Sequence, residues 1–323
     1  MKTLALAALL LALSSAAPAD DLATQIVDAM NKIYGSHPGF RANHAKGIVA
    51  EGSFEPAPEA AKWTTSPIFA SGKLPVTVRF SDAGGLPTVP DGSPGANPHG
   101  LAVKFQLPGG SVSDMVTNSL KTFPVATGED FRDLNLAIAA SPPGSPKPNA
   151  LDTFIANHPS VPKALGSVAT PASFGDEEYH GIDAFIFTNA AGKKQAVRYV
   201  FAPEKLVHLT PEDAAKQPLD FLVDELRARL AKSPVKFQLE AQLAAPGDQT
   251  KDPTQAWPDD RPVALLGVLT LTKVAADSAD AEKKLLFLPT AVTDGIEPSD
   301  DPLIVLRSQA YVLSFTRRAA AAH

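Results

Sequence analysis

Three side chains in this sequence belong to types that perform proton-transfer or metal chemistry: His44, Arg307 and Tyr311. A histidine can accept and donate a proton near neutral pH. Arg307 and Tyr311 are four residues apart, so they would share one face of a helix. An arginine beside a phenol favours the phenolate, and a phenolate can bind ferric iron. If the fold brings these side chains together, they could supply an acid–base group and an iron ligand.

Each candidate residue also has an ordinary structural interpretation. A single histidine beside a strand, like His44, is more often structural or exposed than catalytic. Asn118 follows a short predicted strand, where asparagine is usually a turn residue. Tyr311 could be a core ring with Arg307 on its rim. Arg79 lies on the polar face of a predicted strand, which could line a cavity, where the cation needs an anion, or could face water.

Composition sets broad limits on the function. The chain has 323 residues, of which 44% are apolar, enough for a sizeable core in one or two domains. The net charge of -6 and the lack of a basic block make nucleic acid or an anionic membrane surface an unexpected partner. Because there is no cysteine, disulfides and thiolate-bound metals are excluded. A haem held by this chain would therefore need a histidine or tyrosine as its axial ligand.

The N-terminus has the pattern of a secretory signal peptide. A basic start is followed by an apolar stretch over residues 4–13, and small residues lead to Ala17 and Ala19. We expect residues 1–19 to be a signal peptide and residues 20–323 to form the mature domain, which would be periplasmic or secreted. No later stretch is long and apolar enough to span a membrane.

The spacing of apolar residues predicts both helices and strands. One helix should begin near Asp20 or Asp21 and end at Gly35, and we expect it to be structural. Further helices are predicted from residue 128, over 150–157, from Pro211 through Leu219 to Leu230, and from Pro302. About eight strands are predicted, over 39–54 with His44 near the start, 74–81, 100–107, 112–116, 181–189, 195–202, 235–244 and 263–271. Hairpin-like spacing favours an antiparallel sheet, and closure into a barrel would remove its edges.

The motifs together resemble the haem catalase family over roughly residues 36–318, which is nearly the whole mature chain. The matching segments are Arg41-x-x-His44-Ala45-Lys46-Gly47, Val78-Arg79-Phe80-Ser81, Gly100-Leu101-Ala102-Val103-Lys104-Phe105, Asp114-x-Val116-x-Asn118 and Arg307-x-x-x-Tyr311. Within the family, the chain looks like the small exported catalase-related peroxidases. The resemblance implies an α+β fold: an eight-stranded antiparallel β-barrel with surrounding α-helices, and haem b (iron protoporphyrin IX) bound between them.

The resemblance also implies a role for each matched residue. His44 would be the distal acid–base group, Asn118 would orient peroxide, and Tyr311 would be the axial ligand of the haem iron. The implied haem contacts are Arg307, which keeps Tyr311 ionised, Arg41, Arg79 and Arg318 at the propionates, Phe131 stacked over the porphyrin, and Phe123 in the distal wall. Ser81 would hydrogen-bond to His44.

The implied activity is reduction of hydrogen peroxide, and of organic peroxides as further candidate substrates, by a small organic reductant. Two departures from the family pattern lie beside the distal residues: Asn43 replaces a usually apolar residue, and Thr117-Asn118-Ser119-Leu120-Lys121 replaces the usual Gly-Asn-Asn-Thr-Pro. They favour the hypothesis that dismutation of peroxide is weak. The alternatives are a true catalase, an enzyme that rearranges fatty-acid hydroperoxides, a non-catalytic haem-binding barrel and a barrel without haem. We expect a monomer or small homo-oligomer.

Overall fold

The computed structural model describes residues 21–70 and 72–321. The predicted signal peptide, residues 1–19, lies outside these residues. Within the described ranges the chain forms ten strands and eight α-helices. The strands are β1 (Gly47–Pro56), β2 (Leu74–Ser81), β3 (Gly100–Gln106), β4 (Val112–Asn118), β5 (Tyr179–His180), β6 (Phe185–Thr188), β7 (Lys194–Pro203), β8 (Val235–Leu243), β9 (Val263–Val274) and β10 (Ile296–Pro298). The helices are α1 (Leu22–Tyr34), α2 (Gly128–Ala139), α3 (Ala150–Asn157), α4 (Ser160–Leu165), α5 (Pro211–Ala215), α6 (Phe221–Leu230), α7 (Ser278–Lys284) and α8 (Pro302–Ala320).

Eight of these strands close into an antiparallel barrel. Around the ring the order is β1, β2, β3, β4, β5, β7, β8 and β9, and β9 pairs with β1 to complete it. Strands β5 and β6 pair with successive parts of β7, and β10 extends β6 outside the ring. Closure leaves the ring without an unpaired edge. The predicted eight-stranded antiparallel barrel with surrounding helices is confirmed.

The barrel interior is packed with apolar side chains. On β2, Val78 and Phe80 are fully buried, and alternation along the strand sends Arg79 to the opposite, outer face. The ring of Phe80 stacks on Phe174 with centroids 5.4 Å apart. Close packing of this kind fills a small barrel, so a large ligand must bind outside it, against the outer face of the strands.

Local sequence explains where the two longest helices begin and end. The Asp21 carboxylate accepts a hydrogen bond of 2.7 Å from the backbone N–H of Thr24 and caps α1, and Gly35 ends the helix with a φ of 77° that glycine tolerates. Asp301 caps α8 in the same way, with a 2.8 Å bond from the N–H of Leu303. Both predicted helix starts are confirmed. No helix among the described residues is long and apolar enough to cross a bilayer.

Three predicted elements need correction. The single helix predicted from Pro211 is two helices, α5 and α6, because Pro218 lies between them and disfavours helix in the residue before it. Leu219, expected on the apolar face of that helix, is 49% exposed. The strand predicted over 181–189 is present only at 185–188, and β5 was not predicted.

The strand predicted over 39–54 begins only at Gly47. His44 was placed near its start, but the residue has a φ of 54°, in the left-handed region. An extended strand cannot contain this backbone conformation. His44 therefore lies in a turn that precedes β1, and the turn sets the direction of its side chain.

Candidate active site

A cavity lies between the outer face of β2, β3 and β4 and the helices α1, α2 and α8. It contains about 1270 Å³ of space free of protein atoms, its mouth included. All nine residues predicted from the sequence to form the site line this cavity: Arg41, His44, Arg79, Asn118, Phe123, Phe131, Arg307, Tyr311 and Arg318.

Strand pairing explains how residues far apart in the sequence meet on the barrel wall. Ser81 on β2 pairs with Gly100 on β3, and Gly100 pairs with Asn118 on β4. The three positions therefore form one row across three strands. A Cβ atom on Gly100 would lie 2.7 Å from Ser81 Oγ and 3.4 Å from His44 Nδ1. Glycine at this position leaves room for the histidine ring and its serine partner.

His44 is held against the barrel wall as a neutral imidazole. Its Nδ1 lies 3.1 Å from Ser81 Oγ, the contact that the resemblance implied. Burial, with the nearby positive charge of Arg79, lowers the pKa of His44 to about 3. At neutral pH the ring is uncharged, so it can accept a proton from a ligand in the cavity.

Tyr311 lies on the opposite, helical wall, beside Arg307. Arg307 Nε donates a hydrogen bond of 3.2 Å to the Tyr311 oxygen, and Arg307 Nη1 pairs with the buried carboxylate of Asp183. Burial opposes the charge on Arg307, but the charges of Asp183 and Tyr311 raise its pKa further above its usual range. The predicted pairing of Arg307 with Tyr311 on one helical face is present.

Asp183 in turn lies near a second buried carboxyl, Asp301. Burial and then the charge of Asp183 raise the pKa of Asp301. Asp183 was not predicted from the sequence as a site residue. The sequence does show Asp183 as an acidic residue three positions after His180, inside an apolar strand-like run. Its cationic partner, Arg307, could not be recognised without the fold.

The three remaining arginines converge on a second group of acceptors. Arg41 Nη2 and Arg318 Nη2 both donate to the backbone oxygen of Leu285, at 2.9 Å and 2.5 Å. Arg79 donates to the carboxylate of Glu282. Burial and then Arg79 lower the pKa of Arg318 to about 10. Arg318 is 5% exposed, and its Nε has no hydrogen-bond partner among the described residues. A buried guanidinium with one N–H unpaired favours an anionic group in the cavity.

Aromatic and aliphatic side chains form the rest of the wall. Phe123 and Phe131 lie with ring centroids 5.2 Å apart. Helix α1, which we expected to be structural, contributes Ile26 and Met30 to this wall. Because an amphipathic helix buries its apolar stripe, the sequence pattern did not distinguish packing against a core from lining a cavity.

Comparison with known proteins tests the family. The sequence profile of catalase matches residues 24–323. This chain belongs to the catalase family. It is 37% identical over 299 residues to a catalase-related peroxidase of Mycolicibacterium paratuberculosis, covering 91% of this chain and 94% of that protein. It is 36% identical over 299 residues to a catalase-related peroxidase of Synechococcus elongatus, covering 91% and 88%. The chain is therefore an oxidoreductase that acts on peroxide.

Two further comparisons concern larger relatives. A catalase of Vibrio vulnificus is 30% identical over 291 residues, which cover 84% of this chain but 56% of that protein. The crystal structure of a fungal catalase matches with a TM-score of 0.77 at 21% identity, over 88% of this chain and 60% of that chain. The structural match supports the fold. The family is generally one of haem proteins.

Proposed function

We propose that this chain binds haem b in the cavity and reduces hydrogen peroxide with a small organic reductant. The observation that supports this most is the arrangement of two unlike groups on opposite walls. One is the neutral imidazole of His44, and the other is the Tyr311 phenol, whose oxygen accepts a hydrogen bond from Arg307. A binding barrel without catalysis would need the phenol and the arginines, but it would have no use for a neutral base held by Ser81.

The residues present fit a haem. Tyr311 would ligate the iron as the phenolate that Arg307 stabilises. The guanidinium groups of Arg41, Arg79 and Arg318 would bind the two propionates, including the orphaned Arg318 Nε. Phe131 would stack on the porphyrin and Phe123 would exclude water beside it. The haem, when bound, would take up the two oxidising equivalents of hydrogen peroxide and pass them to the organic reductant.

His44 would move the proton that cleavage of peroxide requires. Its neutral imidazole takes a proton from one peroxide oxygen and returns it to the oxygen that leaves as water, as a general acid–base. Ser81 holds the ring through Nδ1, and Asn118 orients the peroxide. Two electrons from the organic reductant and two protons then balance the conversion of hydrogen peroxide into two water molecules.

The polar surroundings of His44 support the choice of a peroxidase over a catalase. Asn43 lines the cavity beside His44, where the family usually has an apolar residue. We propose that a more polar distal wall disfavours reaction with a second peroxide molecule. Rapid oxygen release from peroxide alone, at the rate of a large catalase, would contradict this and identify the chain as a true catalase.

Visible absorption spectroscopy tests the proposal. We expect haem-loaded protein to show an intense Soret band with a high-spin ferric spectrum of the tyrosinate type. Tyr311→Phe should lose the tyrosinate signature, whereas Tyr34→Phe, which removes another helical phenol, should retain it. His44→Ala should keep the Soret band but lose most of its reactivity with peroxide. If the wild-type chain does not bind haem, the proposed function is wrong.

We also propose that the protein is exported and is a monomer or small homo-oligomer. Export rests on the signal-peptide pattern of residues 1–19. Fractionation of a Gram-negative host that expresses the full chain, followed by N-terminal sequencing, tests this location. A periplasmic protein that begins near Asp20 is expected, and a cytoplasmic protein that begins at Met1 would exclude export.

A further inference from the structure

Two guanidinium groups of the cavity wall, those of Arg41 and Arg79, contact one carboxylate, Glu282 on α7. Its Oε2 accepts hydrogen bonds from Arg79 Nε at 3.1 Å and from Arg79 Nη2 at 2.8 Å, and it lies 3.4 Å from Arg41 Nη1. The Glu282 side chain is 13% exposed. Because little water screens this pair, the charge of Glu282 acts strongly on its neighbours.

Glu282 lies behind the arginines and outside the cavity wall. Arg41, Arg79 and Arg318 line the cavity, whereas Glu282 is not among the described residues that do so. A ligand that reaches the arginines would therefore not compete with Glu282 for space. Helix α7 is fixed to the barrel through the N–H of Val49, which donates a 2.8 Å hydrogen bond to Ser278 Oγ.

The charges at this end of the cavity do not cancel. Three arginines and one glutamate leave a net charge of about plus two, since 3 − 1 = 2. The arginines repel one another, and Glu282 offsets part of this repulsion at Arg41 and Arg318. A ligand that carries two carboxylates would complete the neutralisation. One that carries none would leave two buried cations unpaired, which is unfavourable.

We propose that Glu282 holds the net charge of the cavity end lined by Arg41, Arg79 and Arg318 at plus two, and thereby limits how strongly this end prefers a planar ligand with two carboxylates over an uncharged one. Glu282 acts through Arg41 and Arg79 and is a positioning residue. This inference rests on the proposed function, because it assigns the ligand's carboxylates to the same arginines. It adds a residue whose effect depends on the charge of the ligand and not on peroxide chemistry.

Equilibrium titration of the haem-free protein with two porphyrins tests this assignment. The probes are iron protoporphyrin IX, which has two carboxylates, and its dimethyl ester, which has none. Glu282→Gln keeps an oxygen that can accept from Arg79 but removes the charge. We expect the affinity ratio of the dicarboxylate over the diester to rise about tenfold, as for one unit charge removed at roughly 8 Å in a medium of intermediate polarity. The melting temperature gained on binding the dicarboxylate should rise as well.

Three further variants separate charge from structure. Asp280→Asn removes an exposed carboxylate from the same helix and should leave the wild-type ratio unchanged. Glu282→Asp keeps the negative charge on a side chain one methylene shorter and should stay near the wild-type ratio. Glu282→Ser also removes the charge, should raise the ratio as Glu282→Gln does, and serves as the test if Glu282→Gln does not fold.

The outcomes distinguish the inference from the function on which it rests. If Glu282→Gln weakens binding of both porphyrins equally, or leaves the ratio unchanged, Glu282 is only structural and the inference is wrong. The same holds if Glu282→Asp raises the ratio as much as Glu282→Gln does. If the wild-type chain binds neither porphyrin, the proposed function itself fails. A raised ratio in Glu282→Gln that Glu282→Asp does not show would support the assignment.

Discussion

The buried contact between Arg307 and Asp183 allows a quantitative test of the electrostatics behind Tyr311. Arg307→Gln would leave the Asp183 carboxylate, whose side chain is 5% exposed, without its cation and close to Asp301. Removing one partner of a buried ion pair typically costs about 3–5 kcal/mol. We expect the free energy of unfolding of the haem-free protein at pH 7, measured by urea denaturation, to fall by about that amount.

A double-mutant cycle isolates the pair. Asp183→Asn in the Arg307→Gln background removes the stranded charge, so we expect it to recover about 2–3 kcal/mol of the loss. Arg317→Gln provides the matched control on the same helix. Arg317 pairs with Asp28, but the two side chains are 39% and 48% exposed. Because solvent screens such pairs, its loss should cost less than about 1 kcal/mol.

The same variant should become sensitive to pH. Burial gives Asp301 a folded-state pKa above its ordinary value, and removal of the Arg307 charge, which lowers that pKa, would raise it further. Between the unfolded and folded pKa values the folded protein binds more protons, so stability decreases as pH rises. Arg307→Gln should therefore be more stable at pH 5 than at pH 7. If the double variant is no more stable than Arg307→Gln and this pH dependence is absent, Asp183 does not carry an unpaired buried charge in Arg307→Gln and the explanation is wrong.

Three further predictions concern Gly100 and His44 at the cavity wall and the buried residue His99. Gly100→Ala should place a Cβ 2.7 Å from Ser81 Oγ and displace His44. In stopped-flow measurements we expect the rate of reaction with peroxide to fall about tenfold or more while haem binding stays normal. An unchanged rate would contradict the tight fit around Gly100. Because burial lowers the pKa of His44 to about 3, the rate of peroxide reaction should hold from pH 7 down to about pH 5, whereas a rate that halves near pH 6.5 would indicate an exposed histidine. Burial lowers the pKa of His99 to about 4, so below pH 6.5 the unfolded chain binds a proton at this residue that the folded chain does not bind. Acidification from pH 7 to pH 5 should therefore lower the free energy of unfolding by up to about 2 kcal/mol through His99. In urea denaturation, His99→Gln should reduce this dependence of stability on pH.

Most secondary structure could be predicted from the sequence because its signals are local. Period-two alternation located β2 at residues 74–81, and helical spacing with an aspartate cap located α1 and α8. Misplaced boundaries occurred where a local signal was overridden. Pro218 broke one apolar helical repeat, and the left-handed turn at His44 delayed the start of β1.

The site residues were predicted as separate motifs, and only the fold showed that they share one cavity. His44 and Tyr311 are 267 positions apart (311 − 44). Closure of the barrel and the packing of α8 against α1 bring them to opposite walls of the cavity. The register that aligns Ser81, Gly100 and Asn118 depends on long-range strand pairing, which the local sequence does not encode visibly.

The amino-acid sequence specifies the chemical groups that are present: a histidine with polar neighbours and a tyrosine four residues after an arginine, in a chain without cysteine. The folded structure sets the protonation states of these groups. The neutrality of His44 comes from burial beside Arg79, and the charge of Arg307 is supported by Asp183 from a distant strand connection. Glu282 joined the arginines only when α7 packed on the barrel. Ionisation depends on the solvent exposure and the charges within a few ångströms, and those are properties of the folded chain.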